Sequence, residues 1–511
     1  MNKFIESLRE ESNFDYTENG AIKRKSTNSK LLDMFALGGA YRSRSDGEVI
    51  LLFKNAFEEN PTYALKCLFY LRDVRGGQGE RRFFRVCLHW AADVYTDAMK
   101  RNLINVSEFG RWDDLYAFVG TRLEADAFQI MKNQFVLDLM CKTPSLLGKW
   151  LKSENTSSAI SKELASKTRK FFNLNHKQYR KALSTLRQRI NVLERLMSEN
   201  RWDEIEFDKI PSKAGFKYRN AFARRDIIKA KYEAFAKNEK ANVNAKTLYP
   251  YECVAEAIKL MGYKGPFHGN RNCVATDDVN RLMINKYWDN LTDYFNNASF
   301  NGMAIVDTSG SMCGNEASAP INVAISLGMY CAEKAKGPFH NKFMTFSSSP
   351  TFIEIEGVDF CDKVYQITGA EWGSSTNIEA AFNLMLHVAI KNHCSQNEIP
   401  ENLIIISDME FDSCASSGTS VRDKWRGPHI SNKETLFESM KQKWNRYGYK
   451  MPRLTFWNVD ARSNNIPMKD DGNVTYVSGM SPVLYEQIMK GLTAWDLMMD
   501  KLNSERYACV K

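Results

Sequence analysis

The run MAIVDTSGSM, residues 303–312, places Asp307, Ser309 and Ser311 at alternate positions after four apolar residues. A buried strand that ends in an acid and then hydroxyls delivers oxygen atoms to its carboxyl end. Two later positions add to this set. Asp408 follows the apolar stretch NLIIIS (402–407), and Thr376 opens a helical pattern after the polar run GSS. Three separate loops would thus bring together two carboxylates and three hydroxyls. All-oxygen donor sets suit hard cations, here Mg²⁺ or Mn²⁺; Ca²⁺ normally takes more carboxylates. Hydroxyls contribute dipoles without charge, so the cation would stay under-neutralised and open to an acidic side chain from a protein partner. Taken alone, DTSGS also fits plain helix capping by Asp and Ser after a strand. Asp408 and Thr376, each in its own strand or helix context, favour the cation.

Positioning these residues requires a sheet. From about residue 297 the pattern alternates between period 2 and period 3.6. NGMAIVD, KFMTFS, TFIEIEG, NLIIISD, RLTFWNV and TYVSGM read as strands. Residues 319–337, 376–392, ETLFESMKQKWNRYG and 482–490 read as helices. Strands alternating with helices predict an open, mostly parallel, doubly wound sheet, whose ligands bind at the carboxyl ends of the strands. Before residue 297 the rhythm is helical: LLFKNAFEENPTYALKCLFYLRDV and ERRFFRVCLHWAADVYTDAMKRN carry apolar residues at helical spacing. Asn60-Pro61, Gly76-Gly77 and Gly110 break these runs. Stacked helix pairs of the solenoid kind are expected there.

With its Thr376 and Asp408 complements, Asp307-Thr-Ser-Gly-Ser311 resembles the metal-ion-dependent adhesion site of von Willebrand factor type A domains. All five positions of that motif are filled. The resemblance covers about residues 298–500. It implies a binding module, not an enzyme, in which Asp307, Ser309, Ser311, Thr376 and Asp408 surround Mg²⁺ or Mn²⁺. The helical half resembles the TROVE module of the Ro ribonucleoprotein autoantigen, through LRDVRGGQGERRFF (71–84), FGRWDDLY (109–116) and IPSKAGFKYRNAFARRD (210–226). Closer still, the whole layout resembles the DUF2828 family. The resemblances imply two domains: a helical-repeat, TROVE-like domain over 1–296 that binds RNA, and a von Willebrand factor type A-like domain over 297–511.

Charge supports a nucleic-acid partner independently. The chain of 511 residues carries a formal charge of +9, and residues 151–250 hold 23 Lys or Arg against 11 Asp or Glu. That asymmetry suits phosphate backbones, whose attraction needs positive charge but little sequence. One candidate patch is Lys167, Arg169, Lys170, His176, Lys177, Arg180, Lys181 and Arg187, interleaved with Phe171, Phe172 and Tyr179 as possible base-stacking rings. A second is Lys217, Arg219, Arg224 and Arg225, joined by Lys213. The alternative is an amphipathic helix built on Leu183, Leu186, Ile190 and Leu193, with its basic residues in solvent and its rings in the core.

Other features point away from further chemistry. GGQGER lacks a phosphate-loop lysine; its glycines read as a tight turn, fixed by Arg72, Asp73, Arg75, Glu80 and Arg81 as an ion-pair cluster. His89 and His387 fall in helical patterns and read as packing residues, and His268 sits in a turn-like linker. The eleven cysteines are scattered; Cys273, Cys313 and Cys414 share no zinc-ligand spacing. Reduced thiols, no signal core in the first twenty residues and no 18-residue apolar run predict a cytoplasmic chain with no membrane span. Two rival functions remain: a protein-interaction scaffold without nucleic acid, and a metal-dependent hydrolase for which no general base is evident. Oligomeric state is not legible.

Overall fold

The computed structural model describes residues 3–190, 192–262, 274–296, 298–314, 316–346, 349–368, 375–413, 435–469 and 472–511. His268, Cys273 and Cys414 lie outside these. The chain is multidomain: a helical body and an α/β part built on a six-stranded sheet. Its two compact units are Met1–Ser45 with Ala245–Lys501, and Asp46–Asn244 with Leu502–Lys511. The division expected at residue 296 does not follow these units. Both termini cross it, for reasons visible in their contacts.

The α/β unit opens with helix Lys3–Ser12, followed by a hairpin of β1 (Phe14–Tyr16) and β2 (Ile22–Arg24). Its sheet comprises β3 (Gly302–Asp307), β4 (Lys342–Phe346), β5 (Thr351–Glu354), β6 (Asn402–Ser407), β7 (Arg453–Asn458) and β8 (Val474–Ser478). The strand order is β5-β4-β3-β6-β7-β8, parallel throughout except for the antiparallel edge pair β4–β5. All six strands fall where the alternating pattern predicts them. Every residue of β3 is buried, and five of six in β6, as expected for strands covered on both faces. The chain leaves β3 toward β4 and returns on the other side as β6. The carboxyl ends of β3 and β6 therefore flank a point where winding reverses, the usual place for a ligand crevice. The pairing register sets Val306 beside Ile406, which brings the two strand ends level.

Helix Pro320–Lys334 follows the DTSGS loop and lies unusually close to β3. A Cβ on Gly328 would stand 2.5 Å from Val306 Cγ2, so only glycine permits this approach. Helices Pro250–Leu260 and Val279–Asp289, counted with the helical half by sequence pattern, belong to this unit. Arg281 anchors the second of them through Asp359 (2.8 Å) and Asp362 (2.6 Å). The N-terminal segment is tied in by backbone pairing of Arg24 with Ile466 in both directions.

The helical unit has no strand among its described residues. Its GGQGER turn is tight, as expected: Gly79 has φ +68°, and a Cβ on Gly77 would lie 2.0 Å from the Tyr70 carbonyl oxygen. Arg72, Arg75 and Asp73 turn their side chains to partners outside the turn, which corrects the expected cluster. Arg72 reaches the fully buried Asp114 (2.7 Å), Arg75 reaches Glu108, and Glu80 caps the helix that starts at Arg81. Asp73 turns to the chain's last residues. Arg506 grips both its oxygens, and Tyr507 donates its hydroxyl to Oδ2 at 3.0 Å. Burial raises the Asp73 carboxyl, but Arg506 and the Arg75 and Gly76 amides outweigh it and hold it below the ordinary range. His89 and His387 are exposed, not packed; the His89 ring contacts the Ala117 carbonyl. Among the described residues, no helix is long and apolar enough to cross a membrane.

Asp73 contributes stability above its unfolded value of about 3.9, and loses that contribution as pH falls through its lower folded value. Arg506→Ala should therefore destabilise the chain by roughly 3 kcal/mol at pH 7, because it strands a buried carboxylate. Urea unfolding at stepped pH should show the gap between variant and wild type closing below about pH 4.

Candidate functional site

Asp307 is the last residue of β3 and is 0% exposed. Its Oδ1 accepts the Ser309 backbone N–H (2.9 Å), and its Oδ2 accepts the Ser407 hydroxyl from the neighbouring strand end. The Ser309 and Ser311 hydroxyls lie 3.0 Å apart. Asp408, 1% exposed, follows β6 directly. Burial first, and the Asp408 charge second, push the Asp307 carboxyl well above the ordinary range. Two carboxylates have been placed close together out of water.

The backbone just after Asp408 is constrained. Met409 adopts φ +65°, a left-handed conformation uncommon for any residue but glycine, and its N–H is held by the Ser407 hydroxyl at 2.9 Å. Asn465 holds the Met409 carbonyl at 2.7 Å. This turn aims Asp408 and Glu410 separately.

Thr376 lies two residues before helix Ile378–Lys391, whose N-cap is Asn377. It makes no direct hydrogen bond to the other four candidates among the described residues. Asp412 holds it instead: Asp412 Oδ2 accepts the Thr376 N–H (2.9 Å), and the Asp412 N–H returns to the Thr376 carbonyl (3.1 Å). Asn19 then links it to the rest. One side-chain amide donates to Thr376 Oγ1 (3.3 Å) and to the Glu410 carbonyl (2.6 Å).

Three positions escaped the sequence reading. Arg462, in the loop after β7, bonds Asp408 Oδ2 at 2.5 Å and lies 3.4 Å from Glu18. Burial opposes its charge, but Asp408, Glu18 and Glu410 outweigh this and hold its guanidinium above the ordinary value. Glu18 and Asn19 come from the β1–β2 turn. The Glu18 N–H donates to Glu410 Oε2 (2.8 Å), and Thr17 Oγ1 donates to the Phe411 carbonyl. The fold uses Glu410 and Asp412 to place the turn and Thr376. A basic residue just past a strand's carboxyl end was the one legible signal for Arg462. Nothing local marked Glu18 or Asn19, some 390 residues away from their partners.

The donor set fits a hard divalent ion. Asp307, Asp408, Ser309 and Ser311 would hold it, with the buried Thr376 joined to them only through Asn19 and Glu410. Two carboxylates outnumber the one guanidinium beside them. Among the described residues there is no cluster of three or more His, Cys, Asp or Glu fit for a metal, so hydroxyl oxygens would have to complete the shell.

The basic candidates divide sharply in the helical unit. Arg187 serves the fold, donating to the Gly148 and Leu151 carbonyls and to Ser153 Oγ. Arg169 pairs with Glu154 (2.8 Å), and the buried Arg219 donates to the Phe216 carbonyl. Lys167 lies 3.6 Å from Glu124. Lys170, His176, Lys177, Arg180, Lys181, Lys217, Arg224 and Arg225 are exposed, as is Lys213. The His176 ring nonetheless contacts Glu154 at 3.0 Å. The interleaved rings are not base platforms. Phe172 and Tyr179 are buried, and Phe171 stacks on Phe128 at 5.4 Å between centroids. Beside Arg180 and Arg187 opens a cavity of about 610 Å³ whose wall also carries Lys149, Glu154 and Glu194.

A helical body joined to an α/β part with an acid-and-hydroxyl cluster at its winding reversal defines the class. Residues 17–163 and 138–299 match the model of DUF2828, a domain of unknown function, and the chain belongs to that family. Residues 301–506 match a second domain of unknown function, DUF7788. The chain is 29% identical over 525 residues to the uncharacterized protein L728 of Acanthamoeba polyphaga mimivirus, covering 94% of this chain and 85% of the relative. Among solved structures, the RO (RSR) protein of Deinococcus radiodurans aligns with 93% of this chain and 99% of its own. Identity is 13% and the TM-score 0.36, a loose superposition.

Because the folded Asp307 takes up a proton more readily than the unfolded chain, metal-free stability should fall as pH rises from about 4 toward neutrality. Asp307→Asn removes that ionisation. In chelator at pH 8 the variant should be more stable than wild type by roughly 1–2 kcal/mol, with a flatter pH profile in thermal unfolding.

Proposed function

We propose that this protein is a non-catalytic scaffold with two binding functions. Its α/β unit holds Mg²⁺ or Mn²⁺ and presents it to an acidic side chain of a protein partner. Its helical unit holds RNA. The observation that carries the first function is the convergence of Asp307, Ser309 and Ser311 with Asp408 at the reversal point of the sheet. Such a cation keeps residual positive charge, and a partner carboxylate completes its shell.

The RNA function rests on one face of helix His176–Arg189. Lys177, Arg180 and Lys181 share its solvent side at spacings of three and four residues, with Lys170 at the end of the preceding helix. The segments that resemble the Ro module point the same way. With its rings in the core, this face would contact phosphates and not stack bases, so binding should be strongly salt-dependent and tolerant of sequence.

Calorimetry with Mg²⁺ and Mn²⁺ tests the first function. Wild type should bind one ion, whereas Asp307→Ala and the gentler Asp307→Asn should lose it; equal binding by folded variants would refute the site. For the second, Lys170, Lys177, Arg180 and Lys181 should be changed together to Gln. Affinity for a mixed-sequence single-stranded RNA should drop roughly tenfold or more, and the log–log salt slope should shrink by up to about 3. Unchanged affinity and slope would leave the protein-only scaffold as the better reading.

A further inference from the structure

Resting on the cation reading above, we infer that Arg462 is a built-in competitor for the metal, and that the site loads by moving this guanidinium off Asp408. Arg462 stands between two carboxylates from distant parts of the chain. Nη2 is 2.5 Å from Asp408 Oδ2, and Nη1 is 3.4 Å from Glu18 Oε2. Its side chain is 31% exposed and Asp408's only 1%, so the pair sits at the mouth of the site with the acid on the inside. Asp408 Oδ1 is occupied as well, accepting the Glu410 N–H at 3.2 Å. A divalent ion that uses Asp408 therefore meets a cation already in place on the outward oxygen. Like charges at that distance repel strongly where water is scarce, so ion and guanidinium cannot share the carboxylate at full strength.

The neighbouring chain gives Arg462 somewhere to go. Glu18 is 55% exposed and belongs to a turn held by bonds that do not involve Arg462: the Glu18 N–H on Glu410, and Asn19 on Glu410 and Thr376. Arg462 can leave Asp408 and keep Glu18 as its partner without dismantling that turn. The charge count changes in the same direction. With Arg462 in place, one of the two buried acids is already neutralised; with it withdrawn, both are available to the ion. Arg462 thus sets the metal affinity low and keeps the site quiet at low ion concentration.

The test is Mn²⁺ binding to the full chain, by calorimetry and by the shift in thermal midpoint. Arg462→Gln should tighten Mn²⁺ about tenfold or more, because it removes an opposing charge next to a ligand. Arg462→Lys keeps the charge and should bind like wild type. In chelator, Arg462→Gln should be less stable than wild type, since Asp408 loses its partner; saturating Mn²⁺ should raise its midpoint by more than it raises that of wild type. A merely structural arginine would lower both midpoints equally. Equal or weaker Mn²⁺ binding by folded Arg462→Gln would overturn the inference while leaving the metal site standing. Absence of binding in both wild type and Arg462→Gln would overturn the metal site and this inference together.

Discussion

Two carboxylates cannot stand side by side in a dry crevice without something to answer their charge. Asp307 and Asp408 are placed that way by the register of β3 against β6, and much of the α/β unit's irregular structure can be understood from it. Ser407 and the Ser309 amide hold Asp307, while Arg462 holds Asp408. Met409 accepts an unfavourable backbone conformation so that the next acid, Glu410, turns away instead of adding a third charge at the same spot. Glu410 is then available to fasten the N-terminal turn. A site under such electrostatic load is poised for a cation, whether that cation is a side chain or an ion.

The same load bears on how residues 17–24 join the α/β unit. Helix Lys30–Leu37 packs there through buried apolar side chains, Leu31, Leu32, Met34, Phe35 and Leu37 among them, and the hairpin before it is fixed in another way. It is held by specific polar contacts: Thr17 on Phe411, Glu18 and Asn19 on Glu410, Lys23 on Ser463 at 2.7 Å, and Arg24 on Glu438 and Glu10. Each is weak individually, but they lie around the rim of the site. Residues near 20 thus meet residues near 410 and 460 beside the site.

The helical unit resolves its own charges in a different way. Asp73 and Asp114, both fully buried, are each matched by arginine, and those pairings connect the GGQGER turn, the GRWDDL run and the last residues of the chain. This is why motifs that could pass for ligand loops are structural here. The same requirement takes Arg169, Arg187 and Arg219 out of the basic patch, since buried carbonyls and Glu154 need donors. What remains exposed is the solvent side of helix His176–Arg189 with Lys170 before it, and Lys213, Lys217, Arg224 and Arg225 on and after a later helix.

Strand positions were legible in the sequence because period-2 apolar runs such as AIV and IIIS have few other ways to be buried, and the carboxyl-end rule then placed Asp307 and Asp408 together. The fate of rings in the basic run was not. Phe171, Phe172 and Tyr179 alternate with cations whichever way the helices turn, and only tertiary contacts, Phe171 on Phe128, Phe172 on Phe135 and the Tyr179 hydroxyl on the Lys152 carbonyl, turn them from solvent. His89 and His387 failed for the opposite reason, since helical spacing does not say which edge of the apolar stripe reaches water. The compact units were not legible because period reports local structure, whereas Arg506 on Asp73 and Arg24 on Ile466 are contacts across more than 430 residues. The sequence by itself determined the donor atoms and the strands that carry them, since both follow from residue type and short-range periodicity. Tertiary structure alone decided which cation faces Asp408, because Arg462 and Glu18 meet there through chain closure, and no local pattern encodes a distance in space.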